Sequence, residues 1–229
     1  MYKAAIGNTT FCKDLKGKNS HVFFKSLEHG QDPKVFFITC ADSRVVPNLF
    51  TNTKPGDLFI HRNVGNIIPE YSTQSGESAS IEFALNGLNP TDIIVCGHSK
   101  CGAMKGLLNP EAIKNMPSVN SWLNHSKEVL DKVATKYPDV SNDQRLQKAV
   151  EENVLLQVEH LHTHPAVIKG LADKTIKIHA WVYNIASCEV QAYSKAKNQF
   201  LALDQYEDIQ ALNKAAGTNP VDSSSMGLN

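Results

Sequence analysis

At 229 residues the chain is long enough to bury one sizeable core, and 23 Lys plus Arg balance 23 Asp plus Glu, so its formal net charge is zero and offers no electrostatic ground for a nucleic-acid or anionic-membrane partner. No segment approaches the roughly 20 apolar residues of a membrane span, and Met1-Tyr-Lys-Ala-Ala-Ile-Gly-Asn lacks the apolar run of a secretory signal, so the chain reads as soluble and cytoplasmic. Its five cysteines, an odd number at irregular spacing, suit a reducing compartment better than a disulfide framework.

Residues 1–30 are polar, with a short helical stripe of Val22, Phe23, Phe24 and Leu27 that His29-Gly30 ends; they read as an amino-terminal helical arm. Gln31-Asp32-Pro33 turns into a first strand, Val35-Phe36-Phe37-Ile38, which ends in Thr39-Cys40 and Ala41-Asp42-Ser43-Arg44. A short helix and loop over 47–55 and a second strand over 57–62 follow. Residues 76–88 carry Ala79, Phe83 and Ala84 at helical spacing until Asn89-Pro90 stops the run. The stretch 92–106 opens as the β-rich run Ile93-Ile94-Val95-Cys96, breaks at Gly97 into His98-x-x-Cys101, and continues through Gly102: a strand, a turn and the start of a helix. Amphipathic helices are expected over 118–136 and 142–164, a fourth strand over 175–184 and an antiparallel return over 189–193. Residues 214–229 have too little apolar content to pack and read as a disordered tail or minor contact arm. The alternation of strands and helices predicts an α/β fold: a central, mostly parallel sheet of four strands plus an antiparallel edge strand, flanked by helices, in a single domain over 1–213. No internal repeat is visible.

His98 and Cys101 lie three positions apart on a turn beyond a strand's carboxyl end. If the Cys40 strand lies parallel beside it, Cys40 reaches the same spot, where open α/β sheets place their sites. Two buried thiols and a hydrogen-bonded histidine are common in cores. The coupling of three such groups at one sheet end favours Zn²⁺, and three protein ligands leave a fourth position for water, as in catalytic sites. Asp42 alone would read as half of an ion pair with Arg44. Two positions after a zinc thiolate, clamped and kept ionised by Arg44, it can also accept a hydrogen bond from metal-bound hydroxide. Two thiolates cancel the formal charge of the metal, so it polarises water less than an all-histidine site, whose water has a pKa of about 7, and the rate is expected to rise with pH in the neutral-to-alkaline range. His160 and His164, four apart, offer a weaker metal pair, better read as favouring a helix carboxyl end. Cys12, Cys96 and Cys188 have no partner spacing.

With Cys40-x-Asp42-x-Arg44 and His98-x-x-Cys101, and His61-Arg-Asn-Val-Gly-Asn66 between them, the chain resembles the β-class carbonic anhydrases over about residues 31–190, nearest to the plant, bacterial and cyanobacterial members. The resemblance implies zinc on Cys40, His98 and Cys101, a catalytic dyad of Asp42 and Arg44, and hydration of CO₂ to bicarbonate by zinc-bound hydroxide. It further implies a substrate-binding Gln31, an apolar pocket of Phe59, Val64 and Phe83 shared between two subunits, and a backbone N–H from Gly102. The expected assembly is a homodimer or higher homo-oligomer, and His61 or a buffer would carry the proton away. Some bacterial relatives hold an inhibitory bicarbonate between a tryptophan, an arginine and a tyrosine. Arg62 and Tyr183 match two of these, but Phe37 replaces the tryptophan. The alternatives are hydrolysis of a related heterocumulene such as carbon disulfide, and a non-catalytic zinc-stabilised assembly protein in which Asp42 or another group fills the fourth position.

Overall fold

The computed structural model describes residues 2–16 and 20–205; the expected tail at 214–229 lies outside them. The strands β1 (Val35–Cys40), β2 (Leu58–Asn63), β3 (Asp92–His98), β4 (Lys177–Tyr183), β5 (Val190–Ser194) and β6 (Gln199–Ala202) form one sheet in the order β2-β1-β3-β4-β5-β6. The first four are parallel; β5 and β6 are antiparallel additions. β1 reads as a continuous apolar run because both of its faces are covered. Phe36, Ile38 and Cys40 belong to the larger core beneath the helices, whereas Phe37 joins a smaller core with Ile94, Cys96 and Tyr183.

Nine α-helices lie among the described residues: α1 (Tyr2–Lys16) and α2 (Ser20–Ser26) in the arm, then α3 (Pro47–Phe50), α4 (Gly76–Phe83), α5 (Gly102–Leu108), α6 (Pro117–Leu123), α7 (Glu128–Lys136), α8 (Asn142–Leu161) and α9 (Pro165–Ala172). None is long and apolar enough to cross a membrane. The arm is short of a core of its own: Ile6 and Phe11 of α1 are exposed, and Phe11 meets the Phe24 ring of α2 edge-on. α8 opens with a reciprocal cap between Ser141 and Gln144 and lies directly on β3. That approach needs Gly97, since a Cβ there would stand 2.7 Å from Val154 Cγ2.

Three elements differ from the sequence expectation. β6 was not expected; it is four residues long, on the sheet edge, and is reached by a tight turn in which Asn198 takes a left-handed φ of 52°. The helix expected over 118–136 is broken at Asn124–Ser126, where the Ser126 hydroxyl instead donates to Asn153 Oδ1 at 2.8 Å. The helix expected over 142–164 ends at Leu161, because Pro165 starts α9.

Candidate metal centre

Parallel pairing of β1 and β3, with Thr39 opposite Cys96, brings Cys40 beside the Gly97-His98 turn. The ligand atoms of Cys40, His98 and Cys101 lie within 4.8 Å of one another, and the three residues are buried. No other group of three such residues that could hold a metal occurs among the described residues. His98 Nδ1 lies 3.0 Å from the Ser99 carbonyl, to which it donates, so its tautomer leaves a lone pair on Nε2. That Nε2 is buried without a partner, an arrangement that costs free energy unless a metal takes the lone pair. The Cys40 thiol is shifted down, chiefly by the adjoining Cys101 thiol, helped by His98 and the Gly65 N–H; Cys101 is shifted up by the same neighbour and by burial. Two buried thiols this close together become a pair of thiolates once a divalent cation takes the place of their protons. The donor set fits zinc.

Asp42 accepts three hydrogen bonds from Arg44: from the backbone N at 3.0 Å and Nε at 2.9 Å on Oδ1, and from Nη2 at 2.8 Å on Oδ2. Arg44 thereby holds the carboxyl well below the usual carboxylate range. The same Oδ2 lies 3.9 Å from His98 Nε2, so the ionised carboxylate faces the cluster. Arg62 braces the turn that carries these groups, donating to the carbonyls of Cys40 at 3.1 Å and Asp42 at 2.8 Å.

Beside the cluster the chain runs irregularly from residue 64 to 71, and side chains from elsewhere bind its backbone. Trp122 Nε1 donates to the Val64 carbonyl at 2.7 Å and Asn153 Nδ2 to that of Gly65 at 3.0 Å. Asn63 takes both the N–H and the carbonyl of Ile67, and Gln157 Oε1 accepts from Ile68 N at 2.7 Å. His160 Nδ1 meets the Ile68 carbonyl at 2.6 Å and His164 Nε2 the Pro69 carbonyl at 3.0 Å. Each of the two histidines has a ring nitrogen on a carbonyl of this segment, and His160 stands in the last turn of α8. What the segment supplies to the cluster is the Gly65 N–H, 3.4 Å from Cys40 Sγ. Trp122, Asn153 and Gln157 carried no motif. For Asn153 and Gln157 the one signal was polarity on an apolar face: four apart, they share the buried face of α8 with Val150, Val154 and Leu161.

The residues expected around a substrate divide into two groups. Asp42, Arg44, Val64 and Gly102 flank the cluster in sequence; a Cβ on Gly102 would meet nothing within 4 Å, so its backbone is approachable. Gln31 is exposed ahead of the other end of β1, and Phe59 pairs in register with Phe36, four residues before Cys40. At about 3.3 Å per residue that is some 13 Å along the strand. Phe83 contacts Phe59, ring centroids 5.8 Å apart, and is 54% exposed. One chain does not bring Gln31, Phe59 and Phe83 to its own cluster. His61 is engaged beneath α4, with Nδ1 3.1 Å from Ser80 Oγ and Nε2 3.6 Å from Glu77 Oε1. Phe37 is fully buried between Phe50 and Trp181, and Tyr183 stacks on Phe50 with centroids 4.2 Å apart.

Residues 35–190 match the family model described as carbonic anhydrase. A carbonic anhydrase of Synechocystis is 44% identical over 181 residues, 78% of this chain and 66% of that protein. One of Pseudomonas aeruginosa is 40% identical over 212 residues, 92% of this chain and 96% of its own. Among solved structures, that of the β-carbonic anhydrase CcaA superposes with a TM-score of 0.84 at 40% identity, covering 88% of this chain and 98% of that one.

Proposed function

The chain belongs to the β-class carbonic anhydrases, enzymes of reversible CO₂ hydration, and from that premise we propose that it works through a zinc ion held by Cys40, His98 and Cys101. The observation that carries this is the buried, unpartnered Nε2 of His98 beside the thiols of Cys40 and Cys101, the three ligand atoms lying within 4.8 Å of one another. When bound, zinc supplies Lewis acidity that lets water ionise near neutral pH. The chain's own part is orientation. Asp42, its carboxylate kept ionised by three bonds from Arg44, accepts a hydrogen bond from the attacking water and leaves that water's lone pair directed at the substrate. Val64 and Gly102 line the near side of the substrate space. Gln31, Phe59 and Phe83 come from a second copy, which makes the dimer the smallest complete unit. Their position near the far end of β1 from their own cluster supports that reading, as does the exposed apolar surface of Phe83 and of the arm.

The engagement of both Asp42 oxygens by Arg44 favours an enzyme over a purely structural zinc site, in which this carboxylate would be a metal ligand. A balanced net charge suits an enzyme acting on a small molecule rather than on a polyanion, and no helix among the described residues is long and apolar enough to cross a membrane. Stopped-flow assays of the zinc-loaded protein with CO₂ and with carbon disulfide, side by side, test the proposal. It requires fast turnover of CO₂; turnover of carbon disulfide alone would replace it.

A further inference from the structure

The Val64–Gly65 peptide is bonded at both ends. Its carbonyl oxygen accepts from Trp122 Nε1 at 2.7 Å, and its N–H donates to Cys40 Sγ at 3.4 Å. All described peptides are trans, so these two groups point in opposite directions, and the indole approaches from the side away from the sulfur. A donor on the carbonyl oxygen draws electron density through the amide and makes its N–H a stronger donor, as in any chain of hydrogen bonds. The peptide has little freedom to turn. Gly65 has φ +83°, its own carbonyl is held by Asn153, and a Cβ on it would stand 2.9 Å from Ala103 Cβ. Trp122 is itself fixed against the His125 ring, with centroids 5.5 Å apart.

We infer that Trp122 is a positioning residue for the metal centre: through the one intervening peptide it polarises and aims the hydrogen bond to the Cys40 thiolate, and so tunes how strongly that sulfur donates to the metal. This rests on the reading of Cys40 as a ligand. Outer groups of this kind set ligand basicity elsewhere. The same bond fixes the Val64 backbone, and with it one wall of the substrate space.

The test compares wild type with two variants, Trp122→Phe and a protein carrying 3-benzothienylalanine at position 122, which keeps the shape of the indole and puts sulfur in place of the N–H. In the cobalt-substituted proteins the thiolate-to-cobalt charge-transfer band should move to longer wavelength in both variants, because a thiolate whose hydrogen bond is weakened gives up its electron more readily. In glycine-labelled zinc protein the Gly65 amide proton should move upfield. A tryptophan that merely packs would lower the melting temperature and leave band and proton in place; a band unmoved in both variants overturns the inference. Should Trp122→Phe fail to fold, the isosteric protein decides alone. A wild type with no thiolate band would instead refute the ligand assignment, and the Gly65 proton would then decide whether the relay through the peptide exists.

Discussion

Replacement of Gly65 by alanine tests whether the irregular segment is held as tightly as its contacts imply. At φ +83° an L-residue sits in the left-handed region, which costs about 1–2 kcal/mol. The added methyl carbon would lie 2.9 Å from Ala103 Cβ and 3.4 Å from two atoms of the Ile67 side chain. Ala103 follows the first residue of α5 and has no flexible end to swing aside, so relief must come from the backbone; overpacking of this sort costs about 1–3 kcal/mol. Gly65→Ala should therefore destabilise the protein by about 2–5 kcal/mol. The direction of relief matters for chemistry, because rotating the peptide takes the Gly65 N–H off Cys40 Sγ. Urea unfolding at equal chain concentration and fixed free zinc measures the first effect, and the cobalt charge-transfer band the second. A loss of less than about 1 kcal/mol, below the strain expected from φ alone, would show that the segment yields freely and refute the reasoning.

Asp42→Asn should leave zinc binding intact yet cut kcat about 100-fold or more, the range expected when a positioned proton acceptor is lost, and stopped-flow turnover near that of wild type would reduce the Asp42–Arg44 pair to a structural one. Active enzyme should run as a dimer or larger by light scattering, since Gln31, Phe59 and Phe83 cannot reach the cluster of their own chain; an active monomer at assay concentration would overturn the shared pocket. Bicarbonate should inhibit without cooperativity, because Phe37 has no donor where the regulated relatives place an indole N–H. The missing bond to a charged ligand is worth about 1.5–3 kcal/mol, at least about tenfold in affinity. Steep cooperative loss of turnover with bicarbonate would show that Arg62 and Tyr183 suffice.

The grouping of Cys40, His98 and Cys101, with Asp42 beside it, was legible in the sequence because it is local. His98 and Cys101 share one turn, Asp42 and Arg44 follow Cys40 on another, and parallel pairing of two apolar runs is all that joins them. The four parallel strands and the antiparallel β5 were legible for the same reason, as contiguous apolar runs between turn residues. β6 was not, because four residues on a sheet edge carry too little pattern. The break at Asn124–Ser126 and the anchoring of 64–71 were not legible either, since they depend on bonds between residues as far apart as Trp122 and Val64, or Asn153 and Gly65. His160 and His164 show the hazard of spacing alone: four apart in sequence, they fall on either side of a helix end and bind different carbonyls.

The central claim is that Cys40, His98 and Cys101 hold a zinc ion on which turnover depends, and metal analysis of the purified protein beside its Cys101→Ser variant tests it most directly. The account predicts about one zinc per chain in the wild type, because two thiolates and one imidazole make a single tetrahedral site with one position open. In Cys101→Ser, with folding verified by circular dichroism, both the metal and CO₂ hydration should be lost. A wild type that hydrates CO₂ without zinc, or a serine variant that keeps its full zinc, would contradict it.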